Sequence, residues 1–284
     1  MACPAQSETT NDEVARLLPD RDVPADALAA ASEAKPVVVL DPGHGGDELG
    51  AVDNGIIERD SNFDMALRVR SRLLAAGVEV VLTRNTNGRA DGLDTTGMDA
   101  ATETFADLQA RVANTDAVNA DVFLSLHSNY VSSAEHEGVE AYYNADRPFS
   151  AGSEVFAQLL RDDVVAQLSA AGYPAPAGSV QTDTSYADAA GRLSPFFVLG
   201  PSRDVSRDEF EDRGVDPQAM GLSSDAPAYD TGATDMPGAL LELLYLSNPQ
   251  DAALLRDDSA RDAMADGIAR AILTFLESGS AGSD

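Results

Sequence analysis

The chain has 284 residues and a formal net charge of −29, from 48 acidic and 19 basic side chains. Such a charge excludes nucleic acid and anionic lipid as favoured partners, because both carry the same sign. An apolar content of 44% supports a sizeable core, and no apolar run approaches the roughly 20 residues of a transmembrane helix. Salt would screen the self-repulsion of the folded chain, so we expect a halophilic protein, with an ordinary acidic secreted protein as the alternative.

The first 34 residues are polar and contain three prolines. This composition predicts a tail, with a short helix near residues 12–18. Cys3 is the only cysteine, which excludes an intramolecular disulfide and a thiolate metal cluster. Its place before a polar segment would suit a lipoprotein that begins at a lipidated cysteine, and a free cysteine in a tail is the alternative.

From residue 35 onward, strand-like and helix-like patterns alternate. Strands are predicted over residues 37–40, 78–83, 121–125, 138–143, 195–199 and 239–245. Helices are predicted over residues 62–75, 108–119, 153–170 and 257–276. The alternation predicts one α/β domain over residues 35–278, and residues 279–284 are expected to be a tail.

Two polar stretches, residues 84–102 and 200–236, are longer than simple connections. Both are rich in Asp, Gly and Ser or Thr, and the second shows little periodicity. Loops of this length inside a compact domain are usually functional or disordered. We therefore expect residues 200–236 to be an inserted loop segment.

Two of the three histidines follow predicted strands. His44 stands in the sequence DPGHGG (41–46), where glycine allows close backbone approach. His127 comes directly after the strand at 121–125. Because ligands bind in the crevice beyond the carboxyl ends of parallel strands, we expect both imidazoles at one crevice. His136, between two glutamates, is expected to be exposed to solvent.

Two carboxylates complete a candidate site. Two imidazoles and one carboxylate are the ligand set of a catalytic zinc, and Glu58, near the start of a helix, is the carboxylate we expect. Glu242 interrupts the apolar strand ALLELL, where a buried carboxylate needs a partner or a proton. Beside a zinc site it would serve as general base and acid. The residue types alone therefore predict a zinc hydrolase; ordinary structural histidines and solvated glutamates are the alternative.

Five blocks resemble, in the right order, the zinc-dependent N-acetylmuramoyl-L-alanine amidases. They are VVVLDPGHGG (37–46), GAVDNGIIERD (50–60), LSLHSN (124–129), GVEAYY (138–143) and LLELLYLSNPQD (240–251). These enzymes cut peptidoglycan between the lactyl group of muramic acid and the L-alanine of the stem peptide. Each block alone is a weak signal, but the ordered set is specific and spans residues 36–276.

The resemblance implies a mixed, twisted sheet of about six strands with helices on both faces. It implies that His44, Glu58 and His127 bind Zn²⁺ and that Glu242 is catalytic. Asp41 and Asn129 are candidates for orienting the ligands, with buried structural hydrogen bonding as the alternative. All four chemical residues are present, as an active family member requires.

The implied function is zinc-dependent hydrolysis of peptidoglycan outside the cytoplasm, in wall remodelling, daughter-cell separation or lysis. Some members of the family carry an inserted segment that occludes the zinc until an activator protein displaces it. Residues 200–236 are the candidate for such a lid, with Glu209 and Glu211 as acids that could reach the metal. The alternatives are a catalytically silent wall-binding or regulatory module, and a zinc peptidase that acts on another amide.

Overall fold

A mixed β-sheet forms the centre of the computed structural model, which describes residues 35–185, 196–223 and 228–279. The described residues from Pro36 onward belong to one compact structural unit. Cys3, the predicted tail at 1–34 and its short helix lie outside the described residues, as does most of the predicted tail at 279–284.

Ten strands are present in the described part of the chain. They are β1 (Val37–Pro42), β2 (Val52–Asp53), β3 (Ile56–Ile57), β4 (Glu79–Leu82), β5 (Val122–Asn129), β6 (Val139–Tyr143), β7 (Ala177–Thr182), β8 (Asp204–Ser206), β9 (Ala228–Asp230) and β10 (Gly238–Tyr245). Six of them form the main sheet in the order β4-β1-β5-β10-β6-β7. β4, β1, β5 and β10 are parallel, whereas β6 pairs antiparallel with β10 and parallel with β7. The predicted mixed sheet of about six strands is confirmed.

Six helices are described around the sheet. They are α1 (Glu58–Ala75), α2 (Ala100–Asp116), α3 (Ser150–Ala170), α4 (Arg207–Arg213), α5 (Pro249–Arg256) and α6 (Asp258–Glu277). None of these described helices has the length and apolar composition that a membrane span requires.

The two faces of the sheet are covered by different elements, because successive strand residues point to opposite sides. On one face, Leu40 and Leu124 pack with α1, α3 and α6 in the larger apolar core. On the other face, Val39 and Phe123 pack with Leu108 of α2 in a smaller core. The expectation of helices on both faces is confirmed.

One predicted element is wrong, and two elements of the structure were not predicted. The strand predicted over 195–199 is wrong, because the described residues 196–200 form turns in which the amides of Leu199 and Gly200 donate to Phe196 O. The apolar side chains there pack on the sheet without belonging to it. The edge strand β7 was not predicted, since its sequence AGSVQT is mostly small and polar. The helix α5, which Asn248 caps and Pro249 opens, was also missed.

The segment 200–236 is more ordered than predicted. Its described residues contain the antiparallel pair β8 and β9 and the helix α4. Ser206 caps α4 by accepting from the Glu209 amide, and Gly214 ends it in the left-handed conformation, with φ of 69°. The polar sequence concealed these elements because each is only three to seven residues long.

The segment 200–236 joins the sheet away from the predicted site. It leads into β10 at Gly238, which pairs with Phe123 near the start of β5. His127 lies near the end of β5. The segment therefore enters the sheet at the amino-terminal ends of β5 and β10, whereas the two predicted histidines lie at the carboxyl ends of β1 and β5.

Candidate metal centre

The loop after β1 brings His44 next to His127. β1 pairs with β5 as far as Pro42 and Leu126, so His44, just beyond the end of β1, lies beside His127, near the end of β5. His44 adopts a left-handed backbone, with φ of 63°. Their rings meet edge to face, with centroids 4.8 Å apart.

The glycines of this loop leave room for those rings. A Cβ atom at Gly43 would overlap the His127 ring, and one at Gly50 would overlap His44 and Glu58. The glycine-rich sequence therefore serves close approach of side chains to bare backbone.

Glu58, the first residue of α1, completes a cluster with the two histidines. Its Oε1 lies 2.8 Å from His44 Nε2 and 3.1 Å from His127 Nδ1. The ligand atoms of the three residues all lie within 4.8 Å of one another. The structure thus brings together all three residues that the sequence proposed as metal ligands.

The donor set of the cluster suits a divalent metal, and the other hydrogen bonds of these side chains leave the donor atoms facing one another. Glu58 Oε2 accepts from the Ala51 amide at 2.9 Å, so Oε1 is the oxygen that faces the two rings. His44 Nδ1 hydrogen-bonds to Glu48, which leaves Nε2 facing Glu58. Two imidazole nitrogens and one carboxylate oxygen match a catalytic zinc site with three protein ligands.

Electrostatics at the cluster also favour a cation. Burial by itself would lower the pKa of His44, but hydrogen bonds and charges from Glu48 and Glu58 raise it to about 10. Burial would raise the pKa of Glu58, yet His127 and His44 hold it well below its usual range. The carboxylates therefore hold positive charge at the point where a metal ion would bind.

Glu48 was not predicted from the sequence. It lies four residues after His44, and its Oε1 accepts from the Gly50 amide at 3.0 Å. A ligating histidine usually gives its second ring nitrogen to a carboxylate or carbonyl. Its closeness to His44 in the sequence is a signal for this role, but Asp47 shares that signal.

Glu242 lies beside the cluster on β10. It pairs in register with His127 on one side and with Glu140 on the other, so the three side chains share a face of the sheet. Its Oε2 is buried and has no hydrogen-bond partner among the described residues. Burial, followed by repulsion from Glu58, raises the pKa of Glu242 well above its usual value. A buried carboxyl group with a raised pKa beside a candidate metal site is a candidate for proton transfer.

Asn129 does not orient a metal ligand through its side chain. Its amide donates to Glu140 at 3.0 Å, and Glu140 also accepts from the hydroxyls of Tyr142 and Ser179. The predicted orienting role is therefore wrong for the Asn129 amide, because Glu140 competes for the same donor. Sequence reasoning missed Glu140, although the block GVEAYY contains it.

Asp41 acts on the histidine loop through another residue. Its carboxylate is buried and accepts from Arg111 at 2.6 Å, Thr83 at 2.6 Å and Ser125 at 2.8 Å. Burial would raise its pKa, but the Arg111 guanidinium and the two hydroxyls hold the pKa of Asp41 below its usual value. Arg111 in turn donates to His44 O at 2.6 Å, so Asp41 supports the backbone of the ligand and does not contact its ring.

The acids predicted to reach the metal from residues 200–236 are not at the cluster. Glu209 pairs with Arg203 at 2.7 Å and Arg213 at 2.8 Å, and Glu211 is exposed. Among the described residues, His44, Glu58 and His127 are the group found able to hold a metal. The expectation that Glu209 or Glu211 reaches the metal is wrong for this structure, because the arginines of the segment hold Glu209. His136 is exposed, as expected.

Comparison with solved structures identifies the class of fold. The catalytic domain of CwlV, an N-acetylmuramoyl-L-alanine amidase from Bacillus (Paenibacillus) polymyxa, superposes with a TM-score of 0.57 at 26% identity, covering 85% of this chain and 98% of its own. The fold is that of an amidase catalytic domain.

Sequence comparison identifies the family. A family model described as N-acetylmuramoyl-L-alanine amidase matches residues 38–191 and 202–274. The chain belongs to the N-acetylmuramoyl-L-alanine amidase family.

Two curated relatives carry the same description. The amidase AmiC of Neisseria meningitidis serogroup B is 28% identical over 244 residues, which are 85% of this chain and 53% of that protein. The germination-specific amidase of Bacillus subtilis is 25% identical over 240 residues, which are 84% of this chain and 79% of the relative. The chain thus spans about half the length of the first of these two relatives.

Proposed function

We propose that the protein is a zinc-dependent N-acetylmuramoyl-L-alanine amidase, which hydrolyses the amide bond between muramic acid and the L-alanine of peptidoglycan stem peptides. The proposal rests on the arrangement of four side chains. The donor atoms of His44, Glu58 and His127 converge beside the unpartnered Oε2 of Glu242. Membership of the amidase family supports the choice of substrate.

His44, Glu58 and His127 would hold the metal, and Glu48 would keep His44 in the orientation that presents Nε2. When bound, zinc supplies a Lewis acid that lowers the pKa of water and polarises the substrate carbonyl. Glu242 accepts the proton of the attacking water at Oε2 and returns it to the leaving nitrogen of L-alanine. Its raised pKa suits both steps, because the group must be able to take up and release a proton.

The place of action and the partners follow from this substrate as proposals. Peptidoglycan lies outside the cytoplasmic membrane, so the protein would act in the periplasm, at the cell surface or after secretion, with lipidation of Cys3 as one means of attachment. An activator that moves residues 200–236 remains a proposal. The net charge of −29 supports the proposal of a halophilic protein, because salt would screen repulsion between the enzyme and an anionic wall.

Digestion of purified peptidoglycan by the full chain tests the function. Fragments are identified by mass spectrometry with and without a chelator, and after zinc is added back, in low and in molar salt. We expect a free lactyl carboxyl group and a new L-alanine amino terminus, lost with the chelator and restored by zinc.

Other products would contradict the proposal in distinct ways. No cleavage under any condition would favour a silent wall-binding or regulatory module. Cleavage at another amide would favour a peptidase, and cleavage that a chelator leaves unchanged would exclude the metal. Separately, if the folded protein is equally stable in low and in molar salt, the halophilic proposal is wrong and the proposed activity is unaffected.

A further inference from the structure

Arg84, two residues beyond β4, is a fully buried arginine that is bonded almost entirely to backbone carbonyls. Its Nε donates to Pro42 O at 2.9 Å, and its Nη1 donates to Thr86 O at 2.7 Å. Its Nη2 donates to Gly43 O at 3.1 Å and to Arg59 O at 2.9 Å. The one side chain among its described acceptors is Asn87, at the long distance of 3.5 Å.

Burying a cation without a carboxylate partner is costly, because the charge loses its hydration. Burial and the nearby Arg111 lower the pKa of Arg84 to about 10, so the group is still protonated at neutral pH. The Phe63 ring, 5.0 Å from the guanidinium carbon, offers a partial compensation. An apolar side chain would fill this space at a lower desolvation cost. The presence of an arginine therefore suggests that its hydrogen bonds have a role beyond packing.

Three of the four carbonyls that Arg84 binds, those of Pro42, Gly43 and Arg59, belong to the two segments that carry proposed metal ligands. Gly43 directly precedes His44 in the loop after β1, and Arg59 directly follows Glu58 at the start of α1. A single nitrogen, Nη2, donates to both. These two segments place His44 Nε2 and Glu58 Oε1 2.8 Å apart.

A second buried arginine holds the same loop. Arg111 donates to Pro42 O at 2.8 Å and to His44 O at 2.6 Å. The carbonyls of residues 42, 43 and 44 therefore all accept from a guanidinium group. Arg111 forms ion pairs with Asp41 and Asp107. Of the two buried arginines, Arg84 is the one that also binds the segment that carries Glu58.

We infer that Arg84 is a positioning residue for the metal centre: its guanidinium clamps the His44 loop to the start of α1 and so fixes the separation of two ligands before metal binds. The inference rests on the proposed metal site. Without the clamp, metal binding would have to order the two segments, so the affinity for metal falls. Lysine keeps the charge of arginine but lacks its planar set of donors, so it cannot bridge the same carbonyls.

The test compares the zinc affinity of the full chain, measured by competition with a chromophoric chelator, in the wild type, Arg84→Lys and Arg147→Lys. Arg147 is the matched control, because it is also buried, lies 4.9 Å from the Phe149 ring and donates to the carbonyls of Gly200 and Thr234. Neither of those segments carries a proposed ligand.

We expect Arg84→Lys to raise the zinc Kd about 10- to 100-fold, the usual effect of losing an outer partner of a metal ligand. Arg147→Lys should stay within about twofold of the wild type, even where both variants lower the unfolding temperature alike. At saturating zinc, Arg84→Lys should regain cleavage, because it touches neither substrate nor the reacting atoms. Phe63→Leu, which keeps Arg84 and removes its ring contact, should show a smaller loss of zinc affinity, about two- to fivefold.

Three results would overturn the clamp. They are wild-type zinc affinity in Arg84→Lys, an equal loss of affinity in Arg147→Lys, and, where Arg84→Lys does not fold, unchanged affinity in Phe63→Leu. A wild type that binds no zinc would overturn the proposed function, and the clamp with it. A wild type that binds zinc, beside a variant that binds it equally well, removes the clamp alone.

Discussion

The loop that carries His44 and the segment 200–236 are held mainly by different kinds of interaction. The loop is fixed from inside the domain by Arg84, Arg111 and Asp41, all of them buried. The described part of the segment has exposed ion pairs around Glu209 and a small apolar cluster shared with Phe105 of α2. The buried Arg147 binds it near its two ends, at Gly200 O and Thr234 O.

This difference indicates that the segment 200–236 can change its conformation without changing the geometry of the metal centre. Buried charged groups are stable only with nearly complete hydrogen bonding, so they tie the loop to one geometry. Exposed ion pairs contribute little and weaken in salt. Between its ends, the segment contacts the rest of the domain at α2, where Phe105 meets Phe210 edge to face at 5.0 Å and the Thr102 hydroxyl accepts from the Asp216 amide. We therefore expect the segment to loosen or shift while the metal centre keeps its geometry.

Removing the main apolar contact of the segment should have the largest effect. Phe210 is fully buried between Phe105 and Tyr229, with ring centroids 5.0 and 5.2 Å away. Phe210→Ala should destabilise the segment by about 3–5 kcal/mol, through lost burial and a new cavity. Hydrogen exchange should rise across residues 200–236, while zinc affinity stays within about twofold of the wild type.

Phe156→Ala is the control for that prediction, because Phe156 is fully buried in the main core of the domain. It should lower the unfolding temperature of the whole domain. A loss of zinc affinity in Phe210→Ala as large as that in Arg84→Lys would show that the two regions are not separable.

The pH dependence of zinc affinity should come from the loop. The pKa of His44 rises from 6.5 to about 10 in the metal-free fold. The protonated ring therefore stabilises the metal-free protein fully below pH 6.5, and that contribution is lost as the pH rises through about 10. Zinc needs the neutral ring, so its apparent affinity should rise up to about tenfold per pH unit between about pH 7 and 9.

Chelator competition at each pH measures this slope, and calorimetry in buffers of different ionisation enthalpy counts the proton released. A zinc affinity that does not change over this range would contradict a proton held on His44. Phe210→Ala should leave the slope unchanged, which again separates the loop from the segment.

The ion pairs of the segment should give the smallest effect. Arg203 and Arg213 lower the pKa of Glu209, so its stabilising contribution is present at neutral pH and is lost as the pH falls into the acid range. Because these groups are largely exposed, Glu209→Gln should cost no more than about 1 kcal/mol, and less in molar salt. Thermal unfolding of both proteins at low and high salt measures it; a difference that grows with salt would contradict this account.

The convergence of the two histidines could be predicted from the strand pattern, whereas Glu58 begins a helix and was chosen as a carboxylate near a helix start. His44 and His127 each come after an apolar run, and parallel strands end at one edge of the sheet. Glu242 was recognisable as a charge within an apolar strand. These features depend on local pattern, which a single sequence displays.

The residues that hold the site in place could not be predicted in the same way. Arg84 and Arg111 meet the loop from 41 and 67 positions further along the chain. In the sequence they are ordinary arginines beside strand and helix patterns, and only the three-dimensional fold gives them carbonyl partners. The turn at 196–200 was missed for a related reason, since apolar residues signal burial but do not specify a strand.

Zinc content and peptidoglycan cleavage, measured on the same preparations of Glu242→Gln and Glu58→Gln, test most directly the claim that three residues hold the metal and a fourth moves the proton. Glu242→Gln should keep one zinc per chain and lose cleavage by about 10²–10⁴-fold. Glu58→Gln should lose both the zinc and the cleavage, because a metal ligand is gone. Wild-type cleavage in Glu242→Gln, or loss of its zinc, would contradict the account.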